Sequence, residues 1–326
     1  MNPILRLALL ATLITGLCMP WPICAQSQYP SQPIKLVVPY APGGVPDTVA
    51  CLLGQSWQER VGQTVVVENR AGGNGGVAAG TITAAPADGY MLLVVDTTLL
   101  SVSPLFVSQL PYDPEKDFVP VAALARTPLF LAVNADMPIK TLHEFIAHVE
   151  AHPGQLNYGS AGIGSTHQLT MEAMKSALHL DITHIPYRGT SQAVPALLGG
   201  HVQALWASYP NLKAGVEAGR IRLLANNGLG RSPLLPELPP LADVIPGFDL
   251  VSVIGIYARQ GTPDPIVRKI AHDAIAIFKA PAIVPPLAAL GMEPVGEGPE
   301  VFAKLIAKEI NTITKVVESA GLKSKR

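Results

Sequence analysis

The stretch IKLVVPYAPGGVPD, residues 34–47, decides how this chain reads. Ile34 to Val38 is a short apolar, β-branched run closed by Pro39, the composition of a buried strand. Pro42-Gly43-Gly44 turns the chain, and a helical pattern follows from about Asp47 to Val61. Working outward, Thr64 to Glu68 is a second strand. Ala71 to Gly76 is a glycine-rich loop leading into a small-residue helix that ends near Ala85, and Met91 to Val95 is a third strand. This alternation predicts an α/β fold with a parallel sheet and helices on both faces.

The pattern resumes further on. Leu129 to Val133, Leu156 to Tyr158, Thr183 to Pro186, Val202 to Trp206 and Arg222 to Ala225 read as strands. Thr141 to His152 reads as a helix opened by a capping box, Thr141 with Glu144. Further helices are predicted from about Gln168 to Leu178 and from Gln192 to Leu198, with Pro195 tolerable only in a first turn. Ser232 to Pro246 is a proline-rich loop, Val251 to Tyr257 is strand-like, and helices fill the chain from Pro265 onward. Those late helices lack a sheet nearby and are expected to pack back on the first half. The predicted organisation is one lobe from residues 26–125 plus 248–326 and a second from 126–247, with two crossings forming a hinge.

Composition limits the function. Lys plus Arg number 23 against 24 for Asp plus Glu, a net charge of −1, so neither nucleic acid nor an anionic membrane is expected as partner. An anionic ligand would have to be neutralised locally. Arg6, the apolar Leu7–Met19 and Ile23-Cys24-Ala25 read as a signal peptide over residues 1–25, cleaved on export to the periplasm. Cleavage leaves Cys51 as the one cysteine, with no internal disulfide possible. Its setting, VACLL, predicts a buried and inert thiol.

Ligands of open α/β sheets sit at the carboxyl ends of strands. Two strand-to-helix loops stand out there, Tyr40 to Asp47 and Tyr158 to His167. Their glycines let backbone approach a ligand, and the free N–H groups of a helix start favour an anion. Ser160, Ser165 and Thr166 add hydroxyls, although Ser165 or Thr166 equally serves as a helix cap.

Over nearly the whole mature chain the sequence resembles the Bug-type, or tripartite tricarboxylate transporter, substrate-binding proteins. The resemblance rests on YPSQPIKLVVPYAPGGVPD, VVVENRAGGNGG, ADGYMLLV, LPYDPEKDFVPVA, LNYGSAGIGSTHQL, HIPYRGT, LLGGHV and GTPDPIV. It implies a periplasmic-binding-protein-like, Venus-flytrap fold of two α/β lobes around a cleft, a small organic acid as ligand, and a membrane permease or a sensor as partner. The protein is expected to be a monomer, not an enzyme, and to carry no cofactor or metal. The resemblance places Tyr40, Pro42, Gly43, Gly44 and Asp47 against the ligand from one lobe. From the other it places Ser160, Gly162, Gly164, Ser165, Thr166 and His167, with Thr97 as a further candidate. Three departures matter. Cys51 replaces an arginine common in the family, and Pro46 removes an N–H. Ala204 to Ser208 lacks an acidic residue common there, which argues against an amino-acid ligand and puts Trp206 or Ser208 at the distal end of the pocket. Core packing accounts for Trp206 equally well.

Other patterns carry less. Gly73 to Ala78 matches a dinucleotide-binding spacing but follows the wrong strand. His148 and His152 are four apart on a solvated helix face. The alternative function is a periplasmic enzyme acting on a small acid through Ser160 and His167, although no acidic orienter accompanies them.

Overall fold

Strand β1 (Ile34–Val38) lies inside a six-stranded sheet because Ile34, Leu36, Val37 and Val38 all need burial. The computed structural model describes residues 29–107 and 110–322, so the signal-peptide reading lies outside the described residues. From β1 the chain runs through α1 (Val45–Val61), β2 (Val65–Asn69), α2 (Gly76–Ala84), β3 (Met91–Asp96), α3 (Thr97–Phe106) and β4 (Phe118–Thr127). It then builds β5 (Phe130–Asn134), α4 (Leu142–Ala151), β6 (Asn157–Ser160), α5 (Thr166–Leu178), β7 (Thr183–Pro186), α6 (Thr190–Leu198), β8 (Ala204–Ala207), α7 (Tyr209–Glu217) and β9 (Ile221–Asn226). Last come β10 (Ser252–Arg259), α8 (Asp264–Phe278), α9 (Val284–Ala289), β11 (Glu293–Glu297) and α10 (Pro299–Ser319).

The first lobe holds the sheet β11-β4-β10-β3-β1-β2 and the second holds β7-β6-β8-β5-β9. Each sheet is mixed, which corrects the parallel sheet expected. β1 pairs in parallel with β2 and β3, and β6 with β7 and β8. β10 is antiparallel to both β3 and β4, and β5 to both β8 and β9. The reason is the crossing. β4 carries the chain out of the first lobe and β10 brings it back beside β4, so the two must run in opposite directions. Their pairing begins at the hinge itself, Ser252 opposite Thr127.

Several elements escaped the sequence reading. Pro120 interrupts FVPVAALART and masks β4, whose Val121 to Ala125 are buried. β11 corrects the expectation of helices alone after Pro265; it is an edge strand, where Pro294 and Gly296 are tolerated. Cys51 is exposed, not buried. Val49, Ala50, Leu53 and Trp57 set the core face of α1, and Cys51 falls on the opposite side.

The crossings are fastened by one residue. Asn227, with no exposed surface, accepts the Leu129 N–H on its side-chain oxygen at 2.8 Å and donates its amide to the Leu250 carbonyl at 2.8 Å. Its backbone repeats both links, N–H to the Leu129 carbonyl at 3.0 Å and carbonyl to the Leu250 N–H at 3.1 Å. Helix α10 adds a second connection. Phe302 packs in the first lobe's core, whereas Ile313, Val316 and Val317 pack in the second's. Asn227→Ala leaves a buried donor and a buried acceptor unpaired, at about 1–3 kcal/mol each. A melting temperature lowered by several degrees is the expected result in a thermal scan; an unchanged one would remove Asn227 from this role.

Candidate functional site

A cleft of about 500 Å³ lies between the lobes, where the carboxyl ends of parallel strands meet. Five helix starts contribute to its lining: Val45 and Pro46 of α1, Asp96 and Thr98 at α3, Ser165, Thr166 and His167 at α5, Gly189 and Thr190 at α6, and Ser208 and Asn211 at α7. The hinge residues Thr127, Leu129, Leu250 and Ser252, with Ala161 and Ile254, complete it. Helices α1, α6 and α7 have no side-chain cap on their first turn. Pro46 and Pro210 carry no N–H, and those of Thr48, Gln192 and Asn211 bond carbonyls of the cap residues, which leaves the N–H groups of the first helical residues, Val45, Thr190 and Tyr209, for a ligand. No lysine or arginine is among the described lining residues. A hollow of about 570 Å³ behind the hinge is slightly larger. Its cations are already paired, Arg126 with Glu293 at 2.6 Å and Lys308 with Asp249 at 3.4 Å, and it holds none of these helix starts.

On the first lobe the loop after β1 is braced from within. Asp47, only 8% exposed, accepts the Gly43 N–H at 2.8 Å and the Asn69 side-chain amide at 2.7 Å. The Gly43 N–H is therefore occupied, and Asp47 shapes the loop. Gly43 itself has φ +84°, a left-handed conformation that glycine adopts without strain. The Gly44 carbonyl accepts from the N–H and the hydroxyl of Thr48, and Pro42 stays exposed at the lip. Tyr40 turns its hydroxyl to Asp96 at 2.5 Å. Burial first, and then the Asp96 carboxyl, push the Tyr40 hydroxyl far above its ordinary pKa.

Thr97 does not reach the cleft. It is fully buried, donates to the Glu309 carboxyl and accepts the Val253 N–H at 3.3 Å. One position to either side, Asp96 and Thr98 line the cleft instead, because residues at a helix start diverge by a third of a turn each.

On the second lobe Ser160 is 1% exposed and does not line the cleft. Its hydroxyl meets His184 Nε2 at 2.7 Å, and His184 Nδ1 meets the Gln168 amide at 3.1 Å. Ser160 thus pairs with His184 and not with His167, inside the lobe. The Gly162 N–H goes to Ser160 at 3.1 Å and the Gly164 N–H to Gln168 at 2.8 Å, so both amides are occupied. Ser165 caps α5, accepting the Gln168 N–H at 3.3 Å while donating to the Gly162 carbonyl at 2.6 Å. Thr166 and His167 line the cleft. His167 Nδ1 is buried with no partner, and burial pushes the imidazole down to about 4, so it is neutral at ordinary pH. Ser208 also lines the cleft, accepting from the Asn211 side chain at 2.9 Å, whereas Trp206 is core.

The sequence reading missed Asp96, Thr98, Thr190, Asn211 and Ser252. Asp96 and Thr98 lie at the start of α3, which it had not seen, Thr190 starts α6, which it had begun two residues late at Gln192, and Asn211 sits on α7, which it had not seen either. The strand-end rule that found the first two loops also applies after β7, bounded at Thr183 to Pro186 in the sequence, and finds the remainder once β3 and β8 end at Asp96 and Ala207.

Comparison with known proteins finds relatives over most of the chain. The family model of the tripartite tricarboxylate transporter family receptors, TctC, matches residues 49–322. Protein BugT of Bordetella pertussis is 32% identical over 327 residues, all of both chains. The structure of R. palustris Rpa4515 with adipate is 32% identical, covers 91% of this chain and 99% of that one, and has a TM-score of 0.74. MatC from Rhodopseudomonas palustris with bound malate is 31% identical, covers 89% and 100%, and has a TM-score of 0.68.

One buried group behind the cleft gives a pH signature. Burial raises the Glu309 carboxyl from 4.5 to about 7, against the hydroxyls of Thr97 and Ser101 that lower it. Between those values the folded chain keeps a proton that the unfolded chain releases. Its stabilisation is therefore complete below pH 4.5 and disappears as the pH rises through 7. His167 works the other way, its contribution being present above 6.5 and lost as the pH falls towards 4. The two are separated by subtraction. The melting temperature of wild type minus that of Glu309→Gln should shrink from pH 5 to pH 8, and a constant difference would contradict the assignment.

Proposed function

The chain belongs to the tripartite tricarboxylate transporter family of receptors, a family of binding proteins, and we propose that its cleft captures a small dicarboxylate outside the cytoplasm for uptake. The observation that carries this reading is the set of uncapped helix starts around a cleft lined by no cationic side chain. One carboxylate fits between the starts of α1 and α5, where Thr166 and the free amides of both lobes can donate. The other fits against α6 and α7, beside Thr190, Ser208 and Asn211.

Magnitudes decide which effect dominates. A helix dipole alone contributes about 0.3–1 kcal/mol to an exposed anion. Each hydrogen bond to a charged group contributes about 1.5–3 kcal/mol. Several amides acting together therefore outweigh the dipole and bind an acid without a salt bridge. Because the donors sit on both lobes, all can be engaged at once only when the lobes close, so ligand shifts the population towards the closed form. The solved relatives with adipate and malate support a dicarboxylate of four to six carbons. The N-terminal segment supports export to the periplasm, and the family supports delivery to a membrane permease.

Titration calorimetry against succinate, malate, glutarate and adipate tests the reading, with the ligand recovered and checked for change. Tight binding with unaltered ligand is expected; a chemically converted ligand, or no binding across the series, would refute it. A sharper test uses the first residue of α6. Proline is tolerated at that position of a helix but has no N–H, and Gly189 before it is already extended at ψ 165°. Thr190→Pro should weaken binding about tenfold or more beyond Thr190→Ala, as loss of one charge-assisted hydrogen bond requires, with the melting temperature little changed.

A further inference from the structure

We infer that the ligand carries a hydrogen-bond donor on its carbon chain, a hydroxyl or an ammonium, and presents it to Asp96 on the first lobe's wall. The inference rests on the carboxylate reading of the same cleft and narrows it to substituted acids. Asp96 is the one residue with an acidic or basic side chain, histidine aside, among the described residues lining the cleft. Capping α3 explains only part of it. One oxygen, Oδ1, accepts the Leu99 N–H at 3.1 Å, and a serine, threonine or asparagine would serve that purpose as well. The other, Oδ2, accepts the Tyr40 hydroxyl at 2.5 Å, so a tyrosine from the loop after β1 orients the carboxyl from behind. Two hydrogen bonds thus hold this carboxyl, one on each oxygen, and an ionised carboxylate offers about four acceptor positions, so capacity remains for a donor from the cleft.

The wall around Asp96 sorts ligands by charge. A carboxylate of the ligand about 5 Å from an ionised Asp96 would lose affinity on the order of a hundredfold through repulsion. No cation lines the cleft to offset it, and His167 across the cleft is neutral. The ligand's carboxylates therefore belong at the starts of α1, α5, α6 and α7, turned away from Asp96, and the part facing Asp96 must be apolar or a donor. A donor gains a charge-assisted hydrogen bond; an apolar group gains none and leaves the carboxyl desolvated. Burial already pushes this carboxyl upward, and a donor arriving from the ligand favours its ionised form. The acidic partner for an ammonium that the sequence around Ala204 to Ser208 lacks is thus supplied from the opposite lobe.

Matched acids separate the outcomes. Titration calorimetry of the wild-type chain compares succinate with malate and aspartate, glutarate with 2-hydroxyglutarate and glutamate, and adipate with 2-aminoadipate. At the best-binding length a substituted acid should bind at least about tenfold tighter than the plain one, and whether malate-like or aspartate-like acids lead tells hydroxyl from ammonium. Asp96→Asn should bring that ratio below about threefold. Asp96→Ser, which keeps a cap for α3, should do the same if the asparagine variant fails to fold. A plain acid binding as tightly as its substituted partners, or a ratio untouched by these variants, overturns this inference and leaves the receptor reading intact. No binding by any acid overturns both.

Discussion

The structure depends on one constraint: the first N–H groups of a helix have no partner within it, and here several such groups point into the same space. A parallel strand followed by a helix delivers that helix start to the carboxyl edge of its sheet. β1, β6 and β7 each do so, β8 does so from beside β6, and the lobes bring the two edges face to face. A cap satisfies some of these groups, as Ser165 does at α5 and Asp96 at α3. Where Gly44, Gly189 and Ser208 occupy the cap position without bonding back, the demand is left for whatever enters the cleft.

A site made of amides needs its loops held still, and the loops are stiffened by their own side chains. Asp47 and Gln168 play equivalent parts on the two lobes. Each sits in the first turn of its helix and reaches back to the N–H of a glycine four residues earlier, Gly43 or Gly164. Those two amides are removed from ligand contact so that the neighbouring ones are presented in a fixed arrangement. The polar chain from Gln168 through His184 to Ser160 continues this bracing into the second lobe. What looks in sequence like a nucleophile beside a base is scaffold, since Ser160 is sealed from the cleft and its histidine is oriented by an amide, not a carboxylate.

The sequence made the architecture legible wherever an apolar run met a glycine or proline, as at Ile34 to Gly44 and at Leu156 to Gly164. It failed where local composition argued against the final state. TTLLSVSPLF is rich in residues with weak helix propensity and contains Pro104, yet it is helical because Asp96 caps it and Leu100, Ser101 and Val102 are buried. FVPVAALART hides a central strand behind a proline. At the site, the pattern located both loops but not the direction of each side chain. Tyr40, Thr97 and Ser160 share the right neighbourhood but do not line the cleft, their hydroxyls being taken by Asp96, Glu309 and His184. Such directions depend on partners 24, 56 and 212 residues away, and no local spacing encodes them.

Recognition and movement are joined at the cleft floor. Leu129 and Leu250, the residues that Asn227 fastens together, themselves line the cleft. Under the proposed function, a ligand resting there would touch both chain crossings while its acid groups engaged helix starts on both lobes. The absence of lysine and arginine from the described residues lining the cleft then has a mechanical sense. A salt bridge to one lobe would hold the acid equally well open or closed and would add nothing to closure, whereas amides shared between two lobes bind fully only when the lobes meet.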